Sequence, residues 1–237
     1  MDPADVPADD PADDVAYRHV RDNVTAWLGA HPGLASTPVP ACPGWTVRHV
    51  LSHLVEVSWR VAKRWDRVTG ELPAGTEDAE PAVLLELWRL TGELVDRILV
   101  EGQDQKARVL IMDTLTHEYD IRQAIGLPVP VDHPAMRGAL GTLVLGFDRS
   151  VRARGLPPLL VRTHGGEWTV GDGTAETTLT AVRYDLYRSL AGRRTHAQIA
   201  GLGWSGPADP WFPAFEWGPF HPPATPVEHP LARQRAA

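Results

Sequence analysis

Five segments in the first two thirds of the chain place apolar residues three or four positions apart, the spacing that brings them to one face of a helix. The predicted helices cover residues 15–29, 47–68, 81–100, 105–125 and 133–155. Thr46 stands where it can cap the second helix, and Gly155 suits the C-terminal end of the fifth. The pattern therefore predicts an up-down helical bundle over residues 15–155.

The pattern changes after the two prolines at positions 157 and 158. Two short runs rich in strand formers flank the glycine pair 165–166, which predicts a hairpin over 159–171. Residues 174–181 alternate as a further strand, residues 183–192 form a helix, and residues 196–204 are interpreted as a last strand. The remainder is rich in Pro and Trp. The fold class is thus α+β, with a bundle followed by a small α+β domain over residues 156–237.

Charge changes this picture at the amino terminus. Residues 1–14 hold six Asp and no basic residue, and they supply six of the seven net negative charges of the chain. This composition predicts a disordered acidic leader. The rest of the chain is close to neutral. This gives no electrostatic case for binding nucleic acid, which favours a basic face, and nucleic acid is not expected as a partner.

Composition also limits the compartment. No run of eighteen apolar residues occurs, so we expect no membrane span. Cys42 is the single cysteine, which excludes a disulfide framework and fits the reducing cytoplasm. With no identifiable partner base, Cys42 is interpreted as a small buried residue. These features predict a cytoplasmic protein, monomeric or homodimeric, that acts on small molecules.

Candidate chemistry begins with a histidine of the second helix. His53 lies at the edge of the apolar stripe, beside Val50 and Val57, whereas His49 lies further toward solvent. An imidazole at the boundary of a core can point between helices as a metal ligand. It can equally donate a hydrogen bond to a backbone carbonyl, and for His53 alone this second interpretation is favoured.

The fourth helix carries an acidic residue and a histidine one turn apart. Asp113 and His117 share a face with Leu110 and Ile121. Inside an apolar stripe these polar groups are costly unless they are paired or bound to metal. One helix can offer both as ligands to one ion, and His53 would complete a three-ligand site with an open position. The alternative is a hydrogen-bonded Asp–His pair without metal.

Two segments resemble the signature segments of the mycothiol-dependent maleylpyruvate isomerase family. They are CPGWTVRHVLSHL at 42–54 and DTLTHEYDIRQAIG at 113–126, and RSLAGRRTHAQIAGLGWSG at 188–206 resembles the family's smaller domain. The resemblance implies a DinB-like metal-binding bundle followed by a small α+β domain. It also implies that His53, Asp113 and His117 are the metal ligands, with Asp113 replacing a glutamate that is one methylene longer.

This resemblance implies a thiol-dependent metalloenzyme. A divalent metal, zinc first among the candidates, would activate the low-molecular-weight thiol mycothiol for attack on a small electrophilic substrate. The outcome would be isomerisation or S-transfer. Two alternatives stay open: a non-catalytic protein that binds a metal or a small molecule, and a metal-dependent hydrolase that uses bound water.

Three further residues are candidates for roles in catalysis. Asp120, one turn after His117, could orient a ligand, bind the metal weakly, or form a salt bridge with a neighbouring Arg. Arg193 and Arg194 follow the predicted helix 183–192 and could hold a substrate carboxylate. Basic residues at this position are also favourable to the helix dipole without any function, and that interpretation is preferred for the pair.

Overall fold

A computed structural model of the chain describes residues 11–101, 105–130 and 132–228. Contacts divide the chain into two compact units that meet in sequence between Ala139 and Leu140. Most of the predicted acidic leader, residues 1–10, lies outside the described residues. Asp13 and Asp14 form the first turn of a helix, where carboxylates interact favourably with the helix dipole.

The predicted helices are confirmed, with ends shifted by a few residues. They are α1 (Asp13–Ala30), α2 (Val47–Arg64), α3 (Pro81–Glu101), α4 (Gln105–Ala124) and α5 (Met136–Ala153). The helix α5 begins in the first unit and continues into the second. Among the described residues no helix is both long and apolar enough to cross a membrane.

The core of the first unit lies where α1, α2 and α3 pack together. Each fully buried aliphatic side chain there contributes about 1.5–3 kcal/mol to folding. The indole of Trp88 donates to the hydroxyl groups of Tyr17 and Ser58, both 3.1 Å away. Burial raises the pKa of the Tyr17 phenol, so this hydroxyl stays neutral inside the core. The core contains Val24, Leu28, Val50, Leu51, Leu54, Val55, Leu84, Trp88 and Ile121.

The helix α4 is buried on more than one side, as its two apolar faces predict. Its orientation is also fixed by Glu118, a fully buried carboxylate. Asn23 of α1 donates to this carboxylate at 3.1 Å, Arg122 donates at 2.7 Å, and the His133 ring nitrogen Nε2 lies 3.0 Å away. A buried carboxylate is costly unless its oxygens accept hydrogen bonds, and here they have three partners. These contacts hold α4 at one rotation about its axis.

The second unit contains a four-stranded sheet in the order β2-β1-β3-β4. The strands are β1 (Leu159–Thr163), β2 (Gly166–Val170), β3 (Thr177–Thr180) and β4 (Gly203–Trp204). The pairs β1–β2 and β3–β4 are antiparallel, whereas β1 and β3 are parallel. The predicted hairpin is confirmed, and its turn residue Gly165 has a φ of 74°, which favours glycine.

The last predicted strand, residues 196–204, is wrong for most of its length. The helix α6 (Arg183–Leu190) is followed by a short helix, α7 (His196–Ala200), and only Gly203–Trp204 pairs as a strand. Thr195 and Gln198 form a capping box, because each side chain bonds the backbone N–H of the other. This exchange satisfies the first N–H groups of a helix and favours α7 over a strand.

The second unit begins at Leu140 and therefore contains most of α5. The sequence predicts a later boundary, between residues 155 and 156. Asp148 accepts a hydrogen bond from the Gly171 backbone N–H at 2.8 Å, and the ring of Phe147 lies 4.8 Å from that of Phe215. The fold class is confirmed: a helical bundle is followed by a small α+β unit.

Candidate metal centre

The approach to the site is built by a turn and a helix cap. Residues 42–45 form a β-turn in which the Trp45 N–H donates to the Cys42 carbonyl at 2.9 Å. Pro43 and Gly44, with a φ of 82° at Gly44, occupy its centre in the order typical of a type II turn. The Thr46 N–H then donates to Nδ1 of His49 at 3.0 Å. Thr46, the predicted cap, and His49 therefore form a capping box at the start of α2, and His53, one turn later, faces α4.

Three side chains from two helices meet next to this turn. Nε2 of His53 lies 3.2 Å from Oδ2 of Asp113, and Nε2 of His117 lies 3.7 Å from Oδ1 of the same carboxylate. One donor atom from each residue lies within 4.8 Å of the others. The structure thus brings together the three residues that the sequence singles out, with His117 nearly buried and the other two side chains about one quarter exposed.

This donor set fits a divalent cation. Two ligand atoms that each bond a tetrahedral ion at 2.0–2.2 Å are separated by about 3.4 Å. The distances of 3.2 and 3.7 Å, which run from the two histidines to different oxygens of Asp113, are within a few tenths of an ångström of that value. Two imidazoles and one carboxylate suit zinc or a similar ion. The shorter carboxylate still reaches both histidines, because each of its oxygens faces a different ring.

Asp120 lies behind His117. Its Oδ2 is 3.0 Å from Nδ1 of His117, and its side chain is fully buried. The same imidazole therefore turns Nε2 toward Asp113 and Nδ1 toward Asp120. A carboxylate at Nδ1 fixes the tautomer that leaves the lone pair on Nε2. Among the interpretations of Asp120, this contact is the one expected of a residue that orients His117, and that role stays a prediction.

Two residues of the turn, Cys42 and Trp45, approach the site as well. The interpretation of Cys42 as a small buried residue without a partner base is wrong, because it is partly exposed and lies beside a histidine and a carboxylate, and Trp45 is not singled out by the sequence. Cys42 Sγ lies 3.5 Å from Oδ2 of Asp120 and 3.9 Å from Nδ1 of His117. The indole of Trp45 lies 5.5 Å from the His53 ring and is stacked 6.3 Å from the His117 ring. The proline and glycine between them are the signal in the sequence, since they predict a turn that places both residues before α2.

The two arginines of the second unit have different surroundings. Arg194 is buried and forms ion pairs with Glu228 and with Asp185, the latter at 3.0 Å. Arg193 is partly exposed and donates to the Ala191 carbonyl at 2.6 Å. Their role in holding a substrate carboxylate stays a prediction. For Arg194 this role requires that a substrate replace one of its two carboxylate partners.

Comparison with known proteins confirms the resemblance. Residues 17–122 match the profile of the mycothiol maleylpyruvate isomerase N-terminal domain. A crystal structure of the mycothiol-dependent maleylpyruvate isomerase resembles the chain with a TM-score of 0.52 and 14% identity, over 85% of this chain and 94% of that one. No curated protein sequence matches significantly. At 14% identity the similarity to the solved isomerase shows the fold of this chain and nothing more. The profile match includes His53, Asp113 and His117.

Proposed function

From the match of residues 17–122 to the mycothiol maleylpyruvate isomerase N-terminal domain, we propose that this protein is a mycothiol-dependent metalloenzyme of the isomerase or S-transferase type. The observation that carries the proposal is the convergence of His53, Asp113 and His117 within that domain. Three protein ligands leave a coordination position for a ligand from solvent, the arrangement of catalytic rather than structural metal sites.

Each ligand residue has a distinct part in the proposal. His53 and His117 offer neutral nitrogen donors, and Asp113 offers one negative charge from between them. When bound, a divalent cation such as zinc would stabilise the thiolate form of a thiol at neutral pH. Because the donor set carries a single negative charge, it leaves the cation with a net positive charge that favours an anionic sulfur.

Trp45 and the partial exposure of His53 and Asp113 determine where small molecules approach. The Trp45 side chain is 37% exposed and its ring lies beside both histidine rings. An aromatic face at the rim offers apolar contact to a thiol or to a small unsaturated substrate while the ligand residues behind it stay ordered. We propose that the electrophile binds against this indole.

Asp120 is proposed as a positioning residue that acts through His117. Replacing Asp120 by Asn keeps the side-chain size but removes the charge that selects the Nδ1–H tautomer. We expect metal affinity to fall about 10- to 100-fold, as is usual when a partner of a ligating histidine is lost. Titration of the metal-free variant with zinc checks this, and Asp22→Asn, at an acidic position of α1 outside the site, is the matched control. Unchanged affinity in Asp120→Asn would remove the assigned role.

The experiment that tests the function uses the purified, zinc-loaded protein. It is assayed with maleylpyruvate and with a panel of small electrophiles, each in the presence and absence of mycothiol. We expect turnover or S-conjugate formation only with the thiol. Turnover of an ester or amide without thiol would instead support the metal-dependent hydrolase. Stoichiometric metal and small-molecule binding without turnover would support the non-catalytic binding protein.

A further inference from the structure

The imidazole of His117 belongs to two groups of metal-ligating side chains. The first group is the His53–Asp113–His117 set on its Nε2 side. On its Nδ1 side Cys42 and Asp120 form a second group with it, again with one donor atom from each residue within 4.8 Å of the others. We call this second group the thiol set. It contains sulfur, nitrogen and oxygen donors, a combination that prefers softer cations than the first group does.

The separations within the thiol set match the edges of a metal polyhedron. Zinc bonds sulfur at about 2.3 Å and nitrogen or oxygen at 2.0–2.2 Å, so tetrahedral donors are about 3.5 Å apart when one is sulfur and about 3.4 Å apart otherwise. The observed separations are 3.9 Å from Cys42 to His117, 3.5 Å from Cys42 to Asp120, and 3.0 Å from His117 to Asp120. Shifts of a few tenths of an ångström bring all three donors onto one ion.

We propose that Cys42, His117 and Asp120 form a second cation site, specific for thiophilic metals, that competes with the first set for His117. Asp120 and His117 are buried, whereas Cys42 is partly exposed in its turn. An ion therefore reaches the set past the sulfur, and the thiol proton leaves to solvent as the metal–sulfur bond forms.

The competition follows from the chemistry of one ring. A neutral imidazole has a single nitrogen lone pair, and the other nitrogen carries the proton. With Nδ1 bound to a cation in the thiol set, Nε2 holds the proton and no longer serves as a ligand facing Asp113. Filling the thiol set thus removes one of three ligands from the first set. A thiophilic cation would act as an inhibitor that binds beside the first site and not in it.

The single cysteine makes a direct test possible. Cadmium bound to a thiolate absorbs in the ultraviolet, and in this chain such absorption can come only from Cys42. We expect metal-free protein titrated with cadmium to develop this band with one ion per chain, and Cys42→Ser to lack it. His53→Ala should keep the band with equal or tighter affinity, because it weakens the competing set. Asp120→Asn should weaken the affinity about tenfold or more.

Zinc provides the competition arm. Protein preloaded with one equivalent of zinc should need more cadmium to develop the band, because zinc in the first set holds His117. In His53→Ala this difference should shrink to what zinc bound directly by the thiol set causes. Circular dichroism of each variant shows that loss of the band does not reflect unfolding. Absence of the band in the parent protein overturns the proposal. So does its loss in His53→Ala, since Cys42 would then serve the first set.

The test is separable from that of the proposed function. His53 and Asp113 take no part in the thiol set, and neither mycothiol nor an electrophile is present in the titration. A cadmium band in His53→Ala, together with a complete lack of thiol-dependent turnover in the zinc-loaded parent protein, would support the thiol set and contradict the enzyme. Thiol-dependent turnover without a band would do the reverse.

Discussion

Replacement of His53 by Ala, in protein whose Cys42 is replaced by Ser so that the thiol set cannot bind metal, is expected to remove stoichiometric metal. The loss of metal affinity should exceed the roughly 10- to 100-fold loss expected for Asp120→Asn, and thiol-dependent turnover should fall with it. In the proposed site His53 is the one ligand from α2, and its Nε2 lies 3.2 Å from Asp113. Without it the remaining donors come from a single helical turn of α4 and do not enclose an ion. Elemental analysis and zinc titration of the parent and variant measure the effect. His117→Ala should behave alike.

A matched control lies one turn earlier on the same helix. His49 accepts the Thr46 N–H at 3.0 Å and caps α2, so His49→Ala should keep its metal. Its cost should appear in the free energy of unfolding, at about 1 kcal/mol for a lost cap. Metal retained in His53→Ala at the parent level, or lost in His49→Ala as completely, would contradict the assignment of the ligands.

The largest effect on stability is expected in the second unit, at Glu228. Its carboxylate accepts from Arg188 at 2.7 and 2.8 Å and also pairs with Arg194, and these three side chains are at most 1% exposed. Glu228→Ala removes this carboxylate from the two buried guanidinium groups of Arg188 and Arg194. Asp185 still pairs with Arg194. Breaking a buried pair from one side costs about 3–5 kcal/mol. Denaturant unfolding followed by circular dichroism measures the loss.

The control for this variant is an exposed glutamate of the same unit. Glu216 offers its backbone carbonyl to Arg154, and substitution of its exposed side chain leaves that bond in place. We expect the free energy of unfolding of Glu216→Ala to lie within about 0.5 kcal/mol of that of the parent. A Glu228→Ala midpoint as high as that of Glu216→Ala would show that the three buried charges contribute little net stability.

The helices, and the shared face of Asp113 and His117, could be predicted because the signals are local. Apolar spacing determines α2 and α4, and the positions of Asp113 and His117 follow from one helical turn. The partnership with His53 is non-local. Helical spacing offers His53 only as one possible third residue, and the resemblance of both segments to one family favours it over the metal-free alternative. The helix α7 was predicted as a strand although its capping residues, Thr195 and Gln198, are visible in the sequence.

Other features depend on contacts between distant parts of the chain. Cys42 and His117 are 75 residues apart, and their proximity depends on how the turn before α2 lies against α4. The burial of Arg194 depends on Glu228, which lies 34 positions later in a segment without any periodicity. No pattern of residue types encodes such pairs, because the helix packing and the path of the last segment decide them.

The turn at residues 42–45 has a consequence for how this protein can diversify. Three backbone hydrogen bonds hold it. The Val39 N–H donates to the Trp45 carbonyl, the Cys42 N–H donates to the Val39 carbonyl, and the Trp45 N–H donates to the Cys42 carbonyl. It presents a sulfur to one nitrogen of His117 and an indole to the face of the same ring. Substitutions within this one short turn can therefore replace the sulfur and the indole together. Such changes would alter which metal and which small molecule bind, while the helices keep their sequence.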